Sequence, residues 1–222
     1  MRTYTRTDMA KPTAVSIVST SNGCCEPRLL PDPLSILLVG EGNLSFAYAL
    51  VRRLSRSGAF RRATQGATTS AASGTRGSVE VLVATTFDSE SELALKYPES
   101  ATFRTYFAEK QRVPVRYFGS VNATALASSL ASAHVDTQKR RFHLGVFNNP
   151  HIGFEDLYQQ RSLSSHILES LSGLLRSGPV LHPPQEVVVT LCDNRAQRRD
   201  LLGRAVRNGY ICIAAQPLLT TD

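Results

Sequence analysis

The sequence has few of the residues that build cross-links, metal centres or membrane spans. It contains no tryptophan and four cysteines, which are Cys24, Cys25, Cys192 and Cys212. None stands in a Cys-x-x-Cys pair or beside paired histidines, so we expect reduced thiols of an intracellular protein, with no disulfide framework and no metal site. No run of about 18 apolar residues occurs, so no membrane-spanning helix is expected.

Acidic residues are missing from one long stretch. Between Glu41 and Glu80 there is no aspartate or glutamate, and the stretch contains six arginines: Arg52, Arg53, Arg56, Arg61, Arg62 and Arg76. The whole chain of 222 residues carries a formal net charge of +7, which favours polyanions such as RNA. Two interpretations of the stretch stay open, a polybasic loop that neutralises phosphates and a solvated low-complexity insertion.

Large apolar residues are sparse in two segments. Residues 1–33 are rich in Thr and Ser and end in Pro-Asp-Pro, which predicts a flexible N-terminal leader. Its basic bias is also that of a mitochondrial transit peptide, although it contains no clear amphipathic arginine helix. Residues 55–78 are mostly Ser, Gly, Ala, Thr and Arg, which predicts a disordered arginine-rich insertion. Residues 34–222 are then expected to form one domain around it.

Within residues 34–222, sequence patterns typical of strands alternate with patterns typical of helices. Apolar runs predict six strands at about residues 34–39, 78–87, 113–118, 142–147, 186–191 and 210–215. The longest helix is predicted over about 155–175, where leucine and isoleucine recur near the helical period. Alternation of this kind predicts an α/β fold with a mostly parallel twisted sheet and helices on both faces.

The first predicted strand ends in a glycine turn, Gly40-Glu41-Gly42, and a helix follows it. A strand, glycine turn and helix in this order are typical of nucleotide-binding α/β domains, because glycine lets the backbone approach a ligand closely. The turn lacks the third glycine of the dinucleotide fingerprint and the Gly-Lys-Ser/Thr of a P-loop. A tight turn without a ligand is the alternative.

Polar residues follow three further predicted strands. Asp88 follows the second, Asn122 the third and Asn148 the fourth. In nucleotide-binding α/β domains the acid after the second strand binds the ribose hydroxyls, and without the insertion Asp88 lies near the usual distance of about 20 residues from the turn. Because parallel strands end at one edge of the sheet, we expect these residues to form one ligand site with the glycine turn.

Several segments together resemble the 25S rRNA (uridine-N3)-methyltransferase-like family. They are Leu38-Val39-Gly40-Glu41-Gly42-Asn43-Leu44-Ser45-Phe46, Ala84-Thr85-Thr86-Phe87-Asp88-Ser89, Lys96-Tyr97-Pro98 and Phe147-Asn148-Asn149-Pro150-His151-Ile152-Gly153. The resemblance extends from about residue 34 to residue 210, apart from the insertion. It implies a Rossmann-like class I methyltransferase fold that uses S-adenosyl-L-methionine.

The resemblance also implies roles for single residues. Gly40, Glu41, Gly42 and Asn43 would form the turn beneath the methionine part of the cofactor. Asp88 would bind the ribose, and Asn122, where the family usually has Asp, would face the adenine amino group. The loop from Asn148 to His151 would lie on the substrate side.

Methyl transfer to an imide nitrogen requires that a proton leave, but it requires no nucleophilic residue and no metal. His151 is suited to take that proton because its reference pKa lies near neutrality. A structural role for the ring of His151 is the alternative, and Asn148 would then hold the edge of the base through its amide.

The chain departs from the family pattern at three places. Asn122 replaces Asp, Asn149 replaces the common Phe, and only seven residues follow the sixth predicted strand, so the seventh, antiparallel strand is expected to be short or missing. Three functions stay open: methylation of uridine N3 in large-subunit rRNA, a catalytically inactive RNA-binding factor of the ribosome or its assembly, and methylation of a small molecule or protein. The first two imply rRNA or a pre-ribosomal particle as partner, in the nucleolus or cytoplasm, with the mitochondrion as an alternative.

Overall fold

The computed structural model describes residues 13–19, 34–57, 79–109, 115–135, 142–150, 156–175, 186–191 and 200–217. These residues contain strands β1 (Thr13–Ser19), β2 (Leu34–Val39), β3 (Val79–Thr85), β4 (Val115–Phe118), β5 (Leu144–Asn148), β6 (Glu186–Leu191) and β7 (Tyr210–Pro217). The helices are α1 (Ser45–Arg56), α2 (Glu90–Lys96), α3 (Ser100–Glu109), α4 (Leu126–Ser132), α5 (Leu157–Leu175) and α6 (Leu201–Arg207). A 3₁₀ turn (Ala123–Ala125) precedes α4.

The described strands form one sheet in the order β4-β3-β2-β5-β6-β1-β7. Strands β2 to β6 are parallel to one another, which confirms the predicted mostly parallel sheet. The chain first runs outward from β2 through β3 to β4, and it then continues on the other side of β2 with β5 and β6. The strand order therefore reverses between β2 and β5, and ligands of such sheets bind outside the carboxyl ends of the strands at this point.

Helices cover both faces of the sheet, as predicted. Every residue of β2 is buried, and its side chains alternate between the faces because the strand period is two. Leu37 and Val39 belong to the core beneath α4, α5 and α6, whereas Ile36 and Leu38 belong to the core beneath α1, α2 and α3. Burial on both faces explains the near-continuous apolar run of this strand.

The antiparallel strand of the sheet comes from the N-terminal segment, contrary to our expectation. β1 lies between β6 and β7 and is antiparallel to both, so that Val15 pairs with Val189 and with Ala215. The expectation of a short or missing antiparallel strand was wrong because it considered only the residues after the sixth predicted strand. Within the flexible leader predicted over residues 1–33, Thr13–Ser19 form this strand, and the other residues lie outside the described ranges.

The predicted arginine-rich insertion over residues 55–78 falls almost wholly outside the described residues. Only its first three residues are described. Ser55 and Arg56 form the last turn of α1, and Ser57 follows as its C-cap. The first two residues of the predicted insertion are therefore helical.

Candidate functional site

The glycine turn follows β2 at the edge where the parallel strands end. Gly40 has a φ of 65°, and a Cβ on it would lie 2.9 Å from Cε2 of Phe147 on β5. Both the left-handed backbone and the neighbouring strand therefore demand glycine at this position. Gly42 is exposed, and a Cβ on it would have no atom of the described residues within 4 Å. Within this part of the chain, the turn consequently leaves open space above Gly42.

Backbone donors of this turn remain available to a ligand. Leu44, with a φ of 67°, caps α1, and Oδ1 of Asn43 accepts a hydrogen bond from the N–H of Ser45 at 3.1 Å. The N–H groups of Gly42 and Asn43 have no partner among the described residues. Free N–H groups beside a helix start suit an anion such as a carboxylate.

The Glu41 side chain turns into the protein and connects two elements. It is only 5% exposed, and its Oε2 accepts a hydrogen bond from the N–H of Ala47 in α1 at 3.1 Å. Its Oε1 accepts from Nδ2 of Asn148 at the end of β5, at 3.4 Å. Burial raises the pKa of Glu41, and the two hydrogen bonds oppose this shift. The N–H of Glu41 also donates to the carbonyl of Thr85 at 2.8 Å, so only the carbonyl of this residue, which was predicted to contact the cofactor, is left to face a ligand.

Asp88 follows β3 at the same edge. One carboxylate oxygen, Oδ1, pairs with Nζ of Lys96 in α2, and this hydrogen bond raises the pKa of the lysine. The Asp88 carbonyl accepts hydrogen bonds from the hydroxyl of Thr86 at 2.9 Å and from the N–H of Ser120 at 3.0 Å. The other carboxylate oxygen has no partner in the described part of the chain. The loop is thus held in place while one acceptor stays available.

The exposed Asn122 side chain is engaged locally. Its Oδ1 accepts hydrogen bonds from the backbone N–H of Thr124 at 2.9 Å and from the hydroxyl of the same residue at 2.8 Å. Asn122 thereby caps the 3₁₀ turn. The oxygen that we expected to accept from the adenine amino group therefore already has two donors, and the Asn122 amide offers a ligand chiefly its N–H groups.

The loop that was predicted to lie on the substrate side begins where β5 ends. Asn148 is hydrogen-bonded to Glu41, and Asn149 has a φ of 45° with its N–H donating to the carbonyl of Thr190 at 2.7 Å. The structure thus brings Asn148 against the glycine turn, directly at the reversal of strand order. His151 lies outside the described residues, and its catalytic role stays a prediction.

Sequence reasoning missed three residues at this edge. The hydroxyl of Thr85 donates to the carbonyl of Leu38 at 3.0 Å and lies 3.3 Å from the N–H of Gly40, so it joins β3 to the turn. Thr86 bonds the Asp88 loop, as described above. Phe87 is 74% exposed, and an exposed aromatic ring beside a ligand edge is suited to stacking on a base. All three stand in the Ala84–Ser89 segment that resembles the family, but no spacing rule identifies their roles.

Two absences hold within the described ranges. No group of three or more His, Cys, Asp or Glu residues is arranged to hold a metal ion there. Among the helices assigned above, none is long and apolar enough to cross a membrane.

Comparison with known families supports the resemblance found in the sequence. A family model described as BMT5-like, rRNA (uridine-N3-)-methyltransferase, matches residues 37–220. Searches among curated proteins and among solved structures gave no significant match. The matched region contains the glycine turn, the Asp88 loop and the Asn148 loop.

Proposed function

Because the chain belongs to the BMT5-like family of rRNA (uridine-N3-)-methyltransferases, we propose that it transfers a methyl group from S-adenosyl-L-methionine to N3 of a uridine in large-subunit rRNA. The convergence of the glycine turn, the Asp88 loop and Asn148 at the reversal of strand order carries this proposal. This is the part of an open α/β sheet where ligands bind.

The groups that are free at this edge match the chemistry of the cofactor. The N–H groups of Gly42 and Asn43 suit its carboxylate, and the available oxygen of Asp88 suits its ribose hydroxyls. Open space over Gly42 leaves room for it. When bound, the cofactor supplies an activated methyl group on a sulfonium.

The chain itself has to hold the uridine and remove the proton from N3. Asn148 stands at the entrance of the substrate side, where its amide can hydrogen-bond a base edge. His151, three residues further on, remains our proposed proton acceptor because its reference pKa lies near neutrality. Held this way, the base would present N3 while the surrounding loops exclude water.

Binding of RNA is supported by three exposed arginines of α1. Arg52, Arg53 and Arg56 have no carboxylate partner among the described residues, and Arg52 lies 5.4 Å from the ring centroid of Tyr48. Their helix begins at the glycine turn, so an RNA strand whose phosphates bind along this helix would extend toward the site. The BMT5-like family itself points to rRNA as the substrate class.

The test is a methylation assay with a large-subunit rRNA transcript that lacks modifications. We expect N3-methyluridine in the nucleoside digest, detected by mass spectrometry, and its absence from rRNA of cells without the protein. Methylation at another atom or base would contradict the assignment to N3.

One observation favours the second candidate, a non-catalytic RNA-binding factor. The Asn122 oxygen is already occupied by Thr124, so one expected cofactor contact is weakened. Calorimetry with S-adenosyl-L-methionine separates the candidates. No heat of binding, together with salt-dependent RNA binding, would favour the second candidate and overturn the first.

A further inference from the structure

We propose that Glu41 is a positioning residue that orients the amide of Asn148, so that Asn148 presents a hydrogen-bond acceptor to the N3–H of the substrate uridine. The proposal rests on the proposed function, because it concerns recognition of the base at that same site. It assigns Glu41 to substrate specificity instead of to contact with the cofactor.

The first step is the direction of the Asn148 amide. An ionised carboxylate only accepts hydrogen bonds, so Glu41 selects the NH₂ end of the amide, and Nδ2 donates to Oε1 at 3.4 Å. The amide oxygen of Asn148 then points away from Glu41, and it has no partner within the described residues.

The second step is the anchoring of Glu41 itself. Its other oxygen accepts from the N–H of Ala47 at 3.1 Å, in the first turn of α1, where the helix dipole favours a negative charge. The carboxylate is 5% exposed and has a donor at each oxygen. It therefore cannot rotate without leaving a buried hydrogen-bond donor unpaired, which is unfavourable.

The third step is the match to the base. The imide edge of uracil carries an N–H donor at N3, whereas cytosine has an acceptor there. An acceptor at Asn148 would thus favour uridine when the base first binds. The N3 proton must pass to the base, proposed to be His151, before the methyl group bonds to N3. The contact with Asn148 therefore belongs to the bound ground state, and its loss should raise KM more than it lowers kcat.

Glu41→Gln is the discriminating variant because glutamine has the same side-chain shape as glutamate and can still hydrogen-bond both Ala47 and Asn148. The side-chain oxygen of the glutamine would accept the hydrogen bond from the N–H of Ala47, so its NH₂ would face Asn148. The amide oxygen of Asn148 would then turn toward this NH₂, and the NH₂ of Asn148 would face the substrate. We expect KM for a short RNA with one target uridine to rise about tenfold, with kcat within about threefold. Affinity for S-adenosyl-L-methionine should change little, and the melting temperature at neutral pH should not fall.

The matched control is Glu99→Gln. Glu99 is exposed and accepts a hydrogen bond at 3.4 Å from Asn43 of the same turn, but within the described residues it is not hydrogen-bonded to Asn148. We expect wild-type KM for this variant. A rise in KM equal to that of Glu41→Gln would overturn the proposal, because the effect would then be a general response of the turn.

A double-variant cycle tests whether Glu41 acts through Asn148. If it does, Glu41→Gln should have no further effect on KM when Asn148→Ala is already present. Fully additive effects would overturn the positioning role.

An NMR experiment tests the orientation without any activity. In the wild-type protein the side-chain NH₂ of Asn148 should exchange slowly with water, and in Glu41→Gln it should exchange rapidly. Equal exchange in both proteins would overturn the proposal. Failure of the wild-type protein to methylate RNA would instead overturn the proposed function, and it would leave this exchange difference in place.

Discussion

At the scale of single residues, the two glycines of the turn are under different constraints. Gly40→Ala would force a non-glycine residue to a φ of 65° and place its Cβ 2.9 Å from the Phe147 ring. We expect a loss of about 2 kcal/mol or more in the free energy of unfolding, measured by urea denaturation. Gly42→Ala should be nearly neutral for stability but should weaken cofactor binding. Equal stability losses would contradict this distinction.

Asp88 is expected to bind the cofactor through its free oxygen. Asp88→Ala should lower the affinity for S-adenosyl-L-methionine about tenfold or more, because a charge-assisted hydrogen bond is lost. Calorimetry measures this, and Glu90→Ala is the control, since Glu90 pairs with Arg104 on the next helix. An unchanged affinity in Asp88→Ala would remove the ribose assignment.

The buried Glu41 carboxylate also makes stability depend on pH. Its pKa is raised by burial, so the folded protein binds this proton more tightly than the unfolded chain does. Its contribution to the free energy of unfolding is thus fully present below the ordinary glutamate pKa and is lost as pH rises through the raised value. Because Glu41→Gln does not titrate, its stability relative to wild type should increase from about pH 4 to pH 7. A difference that is constant with pH in urea denaturation would contradict this.

At the scale of secondary structure elements, β1 is an interior strand of the described sheet, because it pairs with a neighbour on each side. Val15→Pro would remove a backbone donor inside this interior strand, and we expect a loss of about 3 kcal/mol or more. The matched control is Ile213→Pro in β7, at the irregularity of the β1–β7 register and on the outer strand of the described sheet. There the cost should be clearly smaller. Similar melting temperatures for the two variants would argue against β1 as an interior strand.

Local sequence signals account for the ends of two helices. Ser89 caps α2 through a capping box with Glu92, and Gly209, with a φ of 73°, stands just after α6, where a helix commonly ends in a left-handed glycine. The helix over Ser100–Glu109 was not predicted. Its hydrophobic pattern is weak, and its place is set by the stacking of Phe103 on Tyr48 of α1 at 4.7 Å. Such a contact between distant segments leaves no local period.

At the scale of the whole molecule, the net charge of +7 bears on RNA binding. In a plot of log affinity against log salt concentration, replacing Arg52, Arg53 and Arg56 together by Gln should reduce the magnitude of the slope by about 2. This value assumes that each arginine neutralises one phosphate of single-stranded RNA. Arg207→Gln is the control because Arg207 pairs with Asp200 at 3.0 Å. Filter binding at several salt concentrations measures the slope, and an unchanged slope in the triple variant would place the RNA elsewhere.

The sequence by itself determined the parallel strands, the glycine turn and the residues that end each strand. Hydrophobic periodicity and the backbone freedom of glycine act over a few neighbouring residues, so both signals can be recognised in the sequence before the fold is known. Only the tertiary structure decided that Thr13–Ser19 enters the sheet beside β6 and that Glu41 joins Asn148 across the reversal of strand order. Both depend on hydrogen bonds between residues far apart in the chain. Hydrogen bonding between strand backbones depends little on residue type, so the sequence does not show which strands pair. The buried Glu41 carboxylate can accept a hydrogen bond from Asn148 only because packing of the sheet places the two residues side by side.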